Sequence, residues 1–147
     1  MRHSTLGVAL LAIAMAGPTM VRAAQAGGDV NVTVTYKAKA AKVDATNDIL
    51  VFLFDHPNVT GNSRPLGMQI VQKNGGTASF TGITAPEIYV FAVYDEKGTY
   101  DGQNGPPPAG TPIGMYSKDG KAAAAVKPGP AAKIKLTFTD ARRWEQQ

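Results

Sequence analysis

The stretch Glu87-Ile88-Tyr89-Val90-Phe91-Ala92-Val93-Tyr94-Asp95 is an unbroken apolar run held between two acids. A strand with no polar face must be covered on both sides. It is therefore expected to be a central strand. Ile49-Leu50-Val51-Phe52-Leu53-Phe54 is a second run of the same kind, expected to be the other central strand.

Around these two, the pattern has period two. Val30, Val32, Val34 and Tyr36 alternate with Asn31, Thr33 and Thr35, which predicts a half-buried strand. Ile134, Leu136 and Phe138 alternate with Lys133, Lys135 and Thr137, and the lysines suit a strand near an edge. Met68–Val71 and Thr77–Phe80 flank Lys73-Asn74-Gly75-Gly76, a turn signal that predicts a hairpin. Ile113–Tyr116 suggests a short edge piece, and Lys121–Lys127 suits a strand better than a helix. The tail Asp140–Gln147 is expected to be loosely held. About seven short strands with no helix of useful length predict a single antiparallel β-sandwich of all-β class. The expected shared core includes Val32, Val34, Phe80, Val90, Ala92, Leu136 and Phe138. Leu50, Phe52, Phe54 and Ile70 are placed in that core too.

Residues 1–26 have the layout of a secretory signal peptide: Arg2 and His3, the apolar Leu6–Ala16, then Gly17-Pro18 and Ala24-Gln25-Ala26. The apolar part is too short for a bilayer of roughly 30 Å. Cleavage is expected before Gly27, with Val21-Arg22-Ala23 as a second site, leaving 27–147 as one β-sandwich domain without a membrane span. The chain has no cysteine, so disulfides, thiol catalysis and thiolate metal sites are excluded. A bacterial periplasmic or secreted location accommodates a disulfide-free domain. The formal charge of +4 becomes +2 once Arg2 and Arg22 are removed (4 − 2). The lysines are dispersed rather than clustered, which is no nucleic-acid footprint.

The loop Glu96–Thr111 is longer than most connections, and such loops are commonly functional. Asp95, Glu96 and Asp101 make it a candidate hard-cation site, since calcium takes several oxygen ligands around a tight turn. Its spacing departs from the known calcium loop: counted from Asp95, Lys97 stands third, Tyr100 sixth and Pro106 twelfth. The expected cofactor is therefore none, with calcium as the alternative, and a solvated glycine turn explains the loop equally. Tyr94, Tyr100 and Tyr116 flank or lie within it as candidate ligand-binding aromatics; the competing role is to plug the open end of the sandwich. His56 is the only histidine after cleavage. In sequence it lacks an identifiable nucleophile partner and the further nitrogens a metal would take.

The order of elements resembles a transthyretin-like (prealbumin-like) sandwich, with an immunoglobulin-like arrangement as the broader class. More narrowly, it is similar to a family of small secreted bacterial domains of unknown function. The likeness is carried by Val30–Tyr36, by Ile49–Asp55 before a polar loop, by Gly75–Phe80 and by Ile83–Pro86 before Tyr89–Asp95. Gly98, Asp101 and Pro112-Ile113-Gly114 complete it. The resemblance implies a fold and secretion, and no established activity. The same fold includes a purine-pathway hydrolase with several histidines and a C-terminal tetrapeptide. This chain has neither and ends Trp144-Glu145-Gln146-Gln147. The expectation is a non-enzymatic module, binding or presenting a protein or glycan partner through the 95–116 loop. A calcium- or carbohydrate-binding module and a small hydrolase using His56 are the alternatives.

Overall fold

A computed structural model of the chain describes residues 27–39, 41–130 and 132–146. The expected signal peptide, residues 1–26, lies outside the described residues. Seven strands follow in order: β1 (Gly28–Tyr36), β2 (Ile49–Phe54), β3 (Gly67–Val71), β4 (Thr77–Ile83), β5 (Tyr89–Tyr94), β6 (Ile113–Met115) and β7 (Lys133–Phe138). They form a three-stranded sheet, β4-β1-β7, and a four-stranded sheet, β3-β2-β5-β6. The two pack into an all-β, sandwich-like fold, and the two apolar runs pair antiparallel at its centre, from Ile49↔Tyr94 to Phe54↔Tyr89. Among the described residues no helix is long and apolar enough to cross a membrane.

Three details differ from the sequence expectation. The sandwich is not wholly antiparallel, because β1 and β7 pair parallel from Asn31↔Lys133 to Tyr36↔Phe138. The chain reaches β7 through a long crossover from β6 in the other sheet, so no tight turn forces the antiparallel direction. Lys121–Lys127 forms no strand; it contributes one bridge, in which Val126 and Ile88 exchange backbone hydrogen bonds of 2.8 and 2.9 Å. Nor is the tail loose. Ile113 N–H donates to Arg142 O at 3.0 Å, Trp144 N–H to Thr111 O at 2.8 Å and Gly110 N–H to Trp144 O at 2.8 Å. Residues 142–144 thus continue the four-stranded sheet past β6.

The core also divides differently. Ile49, Val51 and Leu53 face the three-stranded sheet, packing with Val32, Val34 and Leu136. Leu50, Phe52 and Phe54, expected in that core, point the other way and form a second buried cluster with Val93. A six-residue apolar strand has no pattern from which to choose a face, and one step of register exchanges the two sets. Ile70 pairs with Leu50 and shares its outward side; it is 47% exposed, while Val71 takes the core position. Val90 and Ala92 lie in the inter-sheet core as expected.

The second cluster is buried because the 95–111 loop lies down across the outer face of the sheet. Tyr100 packs there with its ring 6.5 Å from that of Phe52. Gly102 comes so close that a Cβ would meet Met68 Sδ and approach Leu50 and Phe52 at 2.9 and 3.0 Å. Its φ of 71° lies in the left-handed region that favours glycine.

Candidate functional site

Asp95 follows β5 directly and is 5% exposed. One carboxylate oxygen accepts the Tyr100 N–H at 2.8 Å and the other the Lys97 N–H at 3.2 Å. The acid therefore shapes the first turn of the loop, as short polar side chains do when they bond backbone a few residues on. Glu96 faces outward to Arg143, at 3.2 Å. Asp101 accepts the Gln103 N–H at 2.9 Å and an Asn104 amide hydrogen at 3.2 Å. The three candidate cation ligands are thus held by separate partners. Among the described residues no group of three or more His, Asp or Glu converges as a metal centre would. Beside Asp95, Asp48 is raised above the ordinary carboxylate range, first by burial and then by the Asp95 charge.

The three tyrosines are not brought together either. Tyr94 is 6% exposed; its ring stacks on Tyr36 at 4.2 Å, and its hydroxyl donates to Lys42 O at 2.9 Å. Tyr116 packs against the same inter-sheet core. Tyr100 alone belongs to the outer cluster, with its hydroxyl donating to Gly105 O at 3.1 Å. Burial, and then the charge of Asp101, push its pKa up to about 12, so it stays a neutral phenol near neutral pH.

Tyr100 lines a cleft of about 590 Å³, within the range of small-molecule sites. Phe52 and Phe54 form its base. Pro106, Pro107 and Gln103 come from the long loop, and Asn62, Ser63 and Arg64 from the β2–β3 loop. Trp144, brought in by the clamped tail, also lines it. Its indole Nε1–H is buried without an acceptor among the described residues. A buried donor left unpaired is uncommon and carries a desolvation penalty of about 1–3 kcal/mol.

Behind the β2–β3 wall stands a hydrogen-bonded chain. His56 Nδ1 is 2.6 Å from Asp55 Oδ1, and His56 Nε2 is 3.0 Å from Ser63 Oγ. A carboxylate can only accept, so Nδ1 carries a proton; in the neutral ring Nε2 then accepts from the serine hydroxyl. Ser63 Oγ in turn accepts the Thr60 N–H at 2.9 Å. The serine that His56 lacks in the sequence reading is thus supplied by the fold. Six residues of loop stand between the two, and nothing in their spacing marks the contact. Trp144 was equally hidden, because its place depends on the tail pairing with Thr111. One signal did exist for the cleft: the unbroken β2 run requires a cover on both faces.

The chain matches no family model, curated protein or solved structure with which it was compared.

Proposed function

We propose that the chain is a binding module, exported to the periplasm or beyond, which takes its ligand in the cleft between the long loop and the β2–β3 loop. The observation that carries this reading is the cleft of about 590 Å³ itself, with Phe52, Phe54, Tyr100 and Trp144 among its lining residues. Phe54, Tyr100 and the prolines offer flat apolar surface, while Asn62, Gln103 and Arg64 offer donors and acceptors around it. A glycan ring, apolar on its faces and oxygen-rich at its edge, is the class that fits. The long loop then acts as one wall of a site instead of a free arm, which revises how it meets a partner.

The fold reading proposed alongside is the transthyretin-like one, supported by seven short strands in sheets of three and four. The export reading rests on the charge and hydropathy layout of residues 1–26. The chain holds a single tryptophan, so its fluorescence reports on the cleft directly. Glycans selected from an array are expected to shift that emission on titration. Tyr100→Ala is expected to weaken binding at least tenfold, equal to about 1.4 kcal/mol. An array without hits, or affinity unchanged in Tyr100→Ala, would count against the cleft.

A further inference from the structure

We infer that Ser63 is an activated nucleophile and that this wall of the cleft hydrolyses small, neutral carboxylic esters. The inference shares with the binding reading only the premise that small molecules enter the cleft; it rests on different atoms. The geometry is that of a base-activated alcohol. Asp55 Oδ1 at 2.6 Å fixes the Nδ1–H form of the His56 ring, which leaves the Nε2 lone pair toward Ser63 Oγ at 3.0 Å. Ser63 Oγ accepts the Thr60 N–H at 2.9 Å, and of the two acceptors near its own hydrogen, His56 Nε2 at 3.0 Å is closer than Thr60 Oγ1 at 3.5 Å. Ser63 lines the cleft, and Arg64, the next residue, lines it too. Arg64 is the one cationic side chain among the described lining residues, and it is assigned to the developing oxyanion. Among the described residues no carboxylate lines the cleft, which suits an uncharged acyl group resting on aromatic and proline surface.

The chemistry balances with an ester and water as the only reactants. Ser63 Oγ adds to the acyl carbon as its proton passes to His56 Nε2. The bond from that carbon to the alkoxy oxygen breaks, and the alcohol leaves with the proton. Water, giving a proton to the same Nε2, then adds to the acyl-serine. The carbon–Oγ bond breaks, Ser63 recovers its proton, and a carboxylic acid is released. Asp55 is a positioning residue: it touches the imidazole and not the substrate. Its side chain is 63% exposed, so it orients the ring from a wet environment and supplies less than a buried acid would.

The internal comparison lies in the same molecule. Ser117 Oγ donates to Asp119 Oδ1 at 3.0 Å and Ser79 Oγ to Asn31 Oδ1 at 2.7 Å; both are hydrogen-bonded serines with no imidazole. The folded chain treated with a fluorophosphonate probe and mapped by peptide mass spectrometry is expected to carry the label on Ser63. The rate there should exceed that at Ser79 and Ser117 by about 100-fold, the lower end of general-base assistance. His56→Gln keeps a donor and an acceptor without a basic nitrogen and should slow labelling at least tenfold. Ser63→Ala should abolish both the label and p-nitrophenyl acetate turnover. In Asp55→Asn, nitrogen-detected NMR should show the ring losing its preference for the Nδ1–H form. Labelling of Ser63 no faster than of Ser117 in the wild-type chain overturns the proposal without relying on any variant's folding. So does an unchanged rate in His56→Gln. Ser63 labelling in a protein that binds no glycan would refute the binding reading alone; glycan binding with an inert Ser63 would refute only this one.

Discussion

Gly102 shows how a single missing atom controls the approach of a loop to a sheet. Its φ of 71° and the crowding by Met68, Leu50 and Phe52 act together. Gly105, a few residues on, shares a positive φ of 98° but has open space where a Cβ would be. Gly105→Ala is therefore expected to cost about 1 kcal/mol, the left-handed strain alone. Gly102→Ala should exceed it by about 1–3 kcal/mol through overpacking. Chemical denaturation of the two variants checks the difference; equal midpoints would mean that the loop does not press on the sheet. Asp48 supplies a second test at this scale. Its pKa is raised in the fold, so the folded state favours the protonated form, and that contribution is fully present below the unfolded pKa. It is lost as pH rises through the folded value, leaving an unfavourable, partly buried charge near neutrality. Asp48→Asn is expected to raise the melting temperature at neutral pH, with the gain shrinking toward about pH 3, below the ordinary carboxylate range. A gain that grew in acid would contradict the assigned direction.

At the scale of elements, β2 is the instructive case. Every residue of Ile49–Phe54 is buried, as an unbroken apolar strand demands, yet two different covers bury it. The three-stranded sheet covers Ile49, Val51 and Leu53; on the other face the 95–111 loop, through Tyr100 and Gly102, covers Leu50 and Phe52, and Val59 of the β2–β3 loop packs on the same cluster with Phe54. The need for both covers was legible in the sequence, as were the seven strands and the alternation of β1 and β7. The parity of β2 was not, because alternation carries the information about faces and this strand has none. Ile70 was misread for a related reason: its apolar side chain looked like core, but pairing opposite Leu50 puts it on the outward side beyond the reach of the loop. Leu50→Ala and Leu53→Ala are each expected to cost about 2–5 kcal/mol although they point to opposite faces. Ile70→Ala should stay within about 0.5 kcal/mol. If Leu50→Ala proved as mild as Ile70→Ala, the loop would not be a cover, and the cleft that it walls would lose its base.

The whole molecule depends on a closure made late in the chain. β7 belongs to the three-stranded sheet, and within a few residues 142–144 joins the edge of the other. One short segment therefore ties the two layers and delivers Trp144 to the cleft. Arg143 reinforces the tie by donating to Gly110 O at 2.7 Å and to Glu96 at 3.2 Å. That ion pair is half exposed and screened by solvent, so the backbone pairing carries most of the clamp. The candidate site was largely illegible for the same reason that the fold was legible. Strands announce themselves in local sequence, by alternation or by an unbroken apolar run, whereas Trp144 and Ser63 reach the cleft through contacts with residues far along the chain or across a patternless loop. A chain ending at Asp140 separates the clamp from the sandwich. Its β1 and β4 amides should keep their hydrogen-exchange protection, because the Val30↔Phe80 to Thr33↔Thr77 pairing is untouched. The amides that donate to the tail are different: Gly110 loses Trp144 O and Ile113 loses Arg142 O, and both should exchange faster by at least tenfold. Uniform loss of protection would mean that the tail is needed to hold the two sheets together at all, and unchanged protection at Ile113 would mean that it clamps nothing.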